Sequence, residues 1–254
     1  MKNILILVAH PDDEIVGTCI FIKRKIQEGH KIFLLFLTNG VIDKNDMWFW
    51  EKKKYSFYLE RRLAELRESV NLLRVTGFYI QNIPTRTLKD SVYKSFSMIQ
   101  KIIKKENIDY IFSPAYEGGH QDHDVANSIA SKFKKSKKVF EFSEYHYFNN
   151  KISSNCFINF SGNEVFLNLS YEEIKFKKKL IKVYKSEIKN LNYINFHQEC
   201  FRPIIDYDYS KPPHEGTLFY RRFSMFSWHP KVDSTLPDDV CSKIINTKID
   251  FDEE

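Results

Sequence analysis

The spacing of apolar and polar positions divides the chain into strands that alternate with helices. Ile4-Leu5-Ile6-Leu7-Val8 and Ile32-Phe33-Leu34-Leu35-Phe36-Leu37 are unbroken apolar runs, the form taken by parallel strands covered on both faces. Between them Ile15, Val16, Cys19, Ile20 and Ile26 recur at helical spacing from about Asp13 to Glu28, and Gly29 supplies the residue usual just past a helix end. This opening predicts a right-handed βαβ unit. Leu59, Leu63, Leu66, Val70 and Leu73 then share one face of a long helix. A second amphipathic helix is predicted from about Ser91 to Lys105, with Val92, Phe96, Ile99, Ile102 and Ile103 inward, followed by a strand at Ile108 to Phe112. The alternation predicts an α/β fold: a Rossmann-like, doubly wound, mostly parallel sheet with helices on both faces.

After about residue 138 the pattern changes to short β-like runs at Val139 to Phe142, Cys156 to Phe160 and Val165 to Leu169, which read as antiparallel. A last long helix is expected from about Tyr171 to Lys189, ahead of an irregular stretch containing Pro203, Pro212 and Pro213. No internal repeat or low-complexity linker divides the sequence. It reads as one domain over residues 1–254, with a core at 1–138 and a smaller C-terminal β/α cap at 139–254.

Composition narrows the class. A chain of 254 residues with 43% hydrophobic and 15% aromatic content can bury a core that offsets its ordering entropy, which excludes a disordered protein. Cys19, Cys156, Cys200 and Cys241 lie far apart with no C-x-x-C pair, so neither a zinc ribbon nor a disulfide framework is indicated. The apolar run at the start is brief and ends at once in His10-Pro11-Asp12-Asp13-Glu14, as a buried strand does and a leader does not. No stretch approaches the ~20 apolar residues of a membrane span. A soluble, cytoplasmic protein is expected. The net charge of +6 is concentrated in Lys52-Lys53-Lys54 and Lys177-Lys178-Lys179, both on or beside helical patterns where lysines form solvated faces. No nucleic-acid partner is expected, although such a surface tolerates a phosphorylated or nucleotide-linked substrate.

The chemistry lies in two clusters, His10-Pro11-Asp12-Asp13-Glu14 and His120-Gln121-Asp122-His123, each placed after a predicted parallel strand. Ligands of open α/β sheets bind at the carboxyl ends of the strands, so the two loops are expected to meet. Catalytic zinc takes three His, Asp or Glu ligands and leaves a position for water. His10, Asp13 and His123 are the natural trio, which leaves Asp12 and His120 for proton transfer. Each residue also has an ordinary reading. An aspartate before a helix is commonly an N-cap, the better account of Asp124 and an open one for Asp13. His30, His146, His197 and His229 read as ordinary surface histidines. Adjacent carboxylates beside a histidine at a strand end would repel unless a cation compensates, which favours a metal site.

At these residues the chain resembles the PIG-L or LmbE-like N-acetylglucosaminyl deacetylases. Ala9-His10-Pro11-Asp12-Asp13-Glu14 is similar to that family's A-H-P-D-D-E signature, and His120-Gln121-Asp122-His123 to its H-x-D-H. Leu37-Thr38-Asn39-Gly40, Tyr184-Lys185-Ser186-Glu187, Phe201-Arg202-Pro203 and Pro212-Pro213-His214-Glu215-Gly216 resemble further family segments. The resemblance implies one Zn2+ per chain on His10, Asp13 and His123. It further implies Asp12 as general base, a protonated His120 oriented by Asp122 as oxyanion stabiliser, and a small N-acetylamino-sugar substrate, free or linked to a nucleotide or lipid. Glu14 is expected to hold a ligand in place or to favour the helix dipole. Arg62, Arg202 and His214 are candidate substrate contacts. The family's R-x-x-E fits either Arg62-Leu63-Ala64-Glu65 or the region of Arg67-Glu68, and Glu187 replaces a usual glutamine. Two other readings are a metal-dependent phosphoesterase, which would call for a second metal, and a non-catalytic nucleotide- or sugar-binding module. The absence of G-x-G-x-x-G after the first strand argues against the latter.

Overall fold

The computed structural model describes residues 1–249. A sheet of seven strands runs in the order β3-β2-β1-β4-β5-β9-β8. Its parallel part comprises β1 (Asn3–Val8), β2 (Lys31–Phe36), β3 (Gly77–Ile80), β4 (Tyr110–Pro114) and β5 (Lys138–Phe142). β8 (Val165–Asn168) and β9 (Gln198–Pro203) extend one edge as antiparallel strands. A separate hairpin is formed by β6 (Tyr145–Phe148) and β7 (Lys151–Ser154). The helices are α1 (Asp13–Gln27), α2 (Tyr55–Leu73), α3 (Val92–Glu106), α4 (Gln121–Ser131), α5 (Tyr171–Ile181) and α6 (Pro237–Asn246).

The alternation of β1 assigns its side chains to two cores. Ile4, Ile6 and Val8 join α1, α2 and α5 on one face, while Leu5 and Leu7 join α3, α4 and α6 on the other. Both faces are therefore covered, as the unbroken apolar run requires. The mostly parallel α/β architecture agrees with the sequence pattern, and the differences lie in the second half. The run at residues 139–142 belongs to the parallel sheet, paired with β4, rather than to an antiparallel cap. Cys156 to Phe160 is an irregular segment, because Ser143 Oγ, His146 Nε2 and Glu117 Oε1 take up its backbone groups. α5 stops at Ile181 instead of Lys189, and the chain beyond it turns inward to bury Val183 and Tyr184.

Lys177 also departs from expectation. It is fully buried, with Nζ donating to Glu199 Oε1 at 2.9 Å and to Val16 O at 2.8 Å. Glu199 accepts in turn from the Ile20 and Phe21 N–H groups. In a regular helix Ile20 N–H would pair with Val16 O, so this buried ion pair is inserted into the ladder of α1. All four cysteines are free. Among the described residues no helix is long and apolar enough to cross a membrane.

Candidate functional site

Strand order reverses at β1, with β2 on one side and β4 on the other. The loops leaving the carboxyl ends of β1 and β4 carry the two sequence clusters, which meet in the crevice at that switch point. His10, Asp12, Asp13, His120, Asp122 and His123 come together there.

The turn after β1 is braced from several sides. His10 N–H donates to Asp13 Oδ2 at 2.8 Å, and Asp13 N–H to His10 O at 3.2 Å. Asp12 has φ 135°, ψ −28°, a conformation that costs about 1–3 kcal/mol and persists only when its surroundings impose it. Glu14 imposes it, accepting Asp12 N–H at 3.0 Å while Ser69 Oγ and Tyr184 OH donate to its other oxygen. Burial pushes the Glu14 carboxyl up to about 7, against the pull of those hydrogen bonds. Arg62 of α2 donates through Nη1 to Pro11 O at 2.9 Å, lies 3.9 Å from Asp12 Oδ2 and pairs through Nη2 with Glu187. Glu65 receives Ser186 N–H and Oγ. Arg62 and Glu65 therefore face the site, whereas Arg67 and Glu68 are exposed.

Three ligand-type atoms converge. His10 Nδ1 and His123 Nε2 each lie 3.2 Å from Asp13 Oδ2, within a group spanning no more than 4.8 Å. Metal bonds of about 2.1 Å at tetrahedral angles separate ligand atoms by about 3.4 Å, so the trio has the spacing of ligands that share one ion. His123 Nε2 is buried and makes no hydrogen bond, the condition of a donor whose partner is a cation. The residues present therefore fit a divalent metal. Burial opposes ionisation of Asp13, yet the flanking His123 and His10 outweigh it and hold its carboxyl well below the usual range.

A second metal-sized group, His10, His120 and Asp122, shares the first histidine. The Asp122 carboxylate is already saturated, accepting from His10 Nε2 at 3.0 Å, Thr85 Oγ1 at 3.1 Å, Arg86 N at 2.6 Å and Leu88 N at 3.2 Å. It orients His10, as a carboxylate behind a metal-binding imidazole does. The expected pairing of Asp122 with His120 is the looser of its two histidine contacts. His120 caps α4, its Nδ1 accepting Asp122 N–H at 3.0 Å, and the Asp122 carboxylate stands off at 3.6 Å. Burial and then the charge of His10 hold the His120 ring well below its usual pKa, and Nδ1, accepting a backbone N–H, leaves Nε2 as the ring's donor.

Exposure separates the cluster into two depths. The side chains of His120, Asp12 and His10 are 18%, 11% and 11% accessible, against 4% for Asp13, 3% for His123 and none for Asp122. The proton-transfer candidates and His10 thus sit nearer the mouth, with Asp13, His123 and Asp122 below. Asp124, expected as an N-cap, instead lies buried in the first turn of α4 and accepts Gly118 N–H at 3.0 Å. Gly119 has no room for a side chain, since a Cβ there would come within 2.2 Å of Tyr145 O. The aromatic rings of Tyr145, Tyr193 and Phe219 form a wall beside His123.

Two expected substrate contacts lie elsewhere. Arg202 is buried, and its guanidinium is committed to Glu141 at 2.6 Å, Asn159 O at 2.6 Å and Tyr207 OH at 2.8 Å, an internal network that leaves nothing for a ligand. His214 packs edge-on to Phe148 with Nδ1 on Glu215 O, and none of its described contacts reaches the trio. Conversely, sequence reasoning passed over Glu144. This side chain is 2% exposed, both its oxygens lack hydrogen-bond partners, and Oε2 lies 3.9 Å from His123 Nε2. Its only mark in the sequence is its place just past the β-like run at 139–142.

Residues 5–134 match the family model described as PIG-L, GlcNAc-PI de-N-acetylase. Among solved structures, a deacetylase of teicoplanin biosynthesis is 14% identical, with a TM-score of 0.63 over 82% of this chain and 99% of its own. An N,N'-diacetylchitobiose deacetylase from Pyrococcus horikoshii is 19% identical, with a TM-score of 0.57 over 84% of each chain. A 4-carboxy-2-hydroxymuconate hydratase from Pseudomonas putida is 11% identical, with a TM-score of 0.53 over 82% of this chain and 98% of its own. That hydratase runs a different reaction on the same fold, so the fold alone does not select the chemistry. No curated protein matches the chain at a significant level.

Proposed function

The chain belongs to the PIG-L (GlcNAc-PI de-N-acetylase) family, and from that premise we propose that it is a zinc-dependent hydrolase removing the N-acetyl group of an amino sugar or amino-sugar conjugate. The observation that carries this reading is the convergence of His10 Nδ1, Asp13 Oδ2 and His123 Nε2, with the last of these unpartnered in the interior. A zinc ion bound by these three supplies an acidified water and a Lewis acid for the amide carbonyl.

The chain's own groups do the rest. Asp12 Oδ2 stands at the mouth of the site and takes the proton of the attacking water, then returns it to the sugar nitrogen so that an amine leaves rather than an amide anion. Arg62, fixed on Pro11 O, holds the Asp12 loop in place. His120 Nε2–H donates to the oxygen on which negative charge grows, a contribution of about 3–4 kcal/mol for a well-placed donor. Its orientation is set by the Asp122 backbone N–H. The aromatic wall of Tyr145 and Phe219 offers the acetyl methyl an apolar surface.

The test is amine release from a panel of N-acetylamino sugars, free, nucleotide-linked and lipid-linked, by protein stripped with a chelator and then restored with zinc. At least one substrate is expected to be turned over only by the restored protein. Turnover that survives stripping, or phosphate release in its place, would defeat the reading.

A further inference from the structure

Four acidic side chains, Asp12, Asp13, Glu14 and Glu144, crowd the crevice, and three of them have a protein counterpart. Asp12 faces Arg62, Asp13 lies between two imidazoles, and Glu14 receives three hydrogen bonds. Glu144 has none. Both its oxygens are buried without partners, and the nearest cationic candidate is His123 Nε2 at 3.9 Å, itself unpartnered. A carboxylate removed from water with no hydrogen bond costs several kcal/mol unless a ligand meets it. Two lone-pair donors without hydrogen bonds, facing one another in the interior, point to a cation between them.

We propose that Glu144 is a fourth protein ligand of the cation held by His10, Asp13 and His123, giving a centre of two imidazoles and two carboxylates. The inference rests on the metal site of the proposed function and extends its ligand set. Charge supports it. A dication bound by two neutral imidazoles and Asp13 alone keeps one positive charge in a buried site, and Glu144 neutralises it. Packing supports it as well. Gly17 of α1 lies against this corner, where a Cβ would come within 2.5 Å of the Phe142 ring and 3.1 Å of Glu144 Cγ. The bare backbone of Gly17 lets the end of β5 approach the start of α1, which brings Glu144 beside Asp13. With a water added, such a centre has five positions filled, which suits ions tolerant of carboxylate-rich, higher coordination, manganese among them.

The test measures metal binding directly, by chelator competition for Zn2+ and Mn2+ and by the visible spectrum of the Co2+-loaded protein. Glu144→Gln is close in volume and is expected to weaken both ions by about tenfold or more, Mn2+ the more strongly. The cobalt band should also intensify as a ligand is lost. Glu144→Asp keeps the charge but withdraws it by one methylene, so it is expected to weaken binding too. Circular dichroism checks that both variants are folded. Unchanged affinities and an unchanged cobalt spectrum in folded Glu144→Gln would overturn the ligand role alone, as would parental affinity in Glu144→Asp. A parent chain that binds no divalent ion would overturn both this inference and the proposed function.

Discussion

Two buried charged regions, one around Arg202 and one around Asp13, differ in one respect. Around Arg202, the acids Glu141 and Glu164 and the phenol of Tyr207 meet every guanidinium nitrogen, and Lys177 and Glu199 close the neighbouring pair. Around Asp13, both oxygens of Glu144 and one nitrogen of His123 have no hydrogen-bond partner. Burial and charge are common to the two; satisfaction is not. A completed network specifies packing, whereas an incomplete one in an otherwise well-packed interior marks the place where a ligand completes it. That contrast moves Arg202 out of the candidate substrate contacts and brings Glu144 in.

The largest effect that would test this division is on rate. Asp12→Asn removes the proton acceptor without touching the trio, and turnover is expected to fall about 10²- to 10⁴-fold with metal content unchanged. An active Asn variant would mean that the open side of the acidic region plays no part in proton transfer. On the completed side the effect should be on stability. Arg202→Met strands Glu141 in the interior and is expected to cost about 3–5 kcal/mol in denaturant unfolding, with KM unaltered in whatever protein stays folded. A raised KM at parental stability would return Arg202 to the substrate.

The smallest effect is a pH dependence. Glu117 belongs to the loop that carries His120, and burial pushes its carboxyl up to about 8 against hydrogen bonds from Ile158 N–H and Ser143 Oγ. A folded-state pKa above the ordinary 4.5 means that the folded form holds the proton more tightly than the unfolded one. Its contribution is full below about pH 4.5 and is lost as pH rises through about 8. Glu117→Gln removes that loss, so its melting temperature relative to the parent should climb by a few degrees between pH 5 and pH 8. Parallel melting curves would show that Glu117 carries its charge as easily folded as unfolded.

The first half of the chain was legible because its signals are local. β1, α1 and β2 follow from apolar runs and helical spacing, and the two motifs fall where the strands end. The second half resisted because its partners are distant. The run at residues 139–142 reads as β-like in a parallel or an antiparallel setting alike, and only its pairing with β4 decides between them. β9 lies within a stretch read as irregular, since its Cys200 and Phe201 are flanked by the buried charges Glu199 and Arg202, which break the expected alternation. On α2 the leucine stripe located the helix, but the buried face also takes in Arg62, Glu65 and Ser69, polar residues made interior by what they hold. His146, read as a surface histidine, is buried with Nε2 on Cys156 O. Glu144 escaped notice because a single acid beyond a short strand carries no pattern.

The ion pair set into α1 has a consequence for how the crevice admits its substrate. The helix that begins at Asp13 is pinned in mid-length by Lys177 and Glu199, which arrive from α5 and β9. Swinging that helix aside would tear a salt bridge out of a dry interior, a motion too expensive for each catalytic cycle. The floor of the reaction chamber is thereby fixed in place, and any breathing that lets a bulky sugar conjugate in and out belongs to the segments around its entrance.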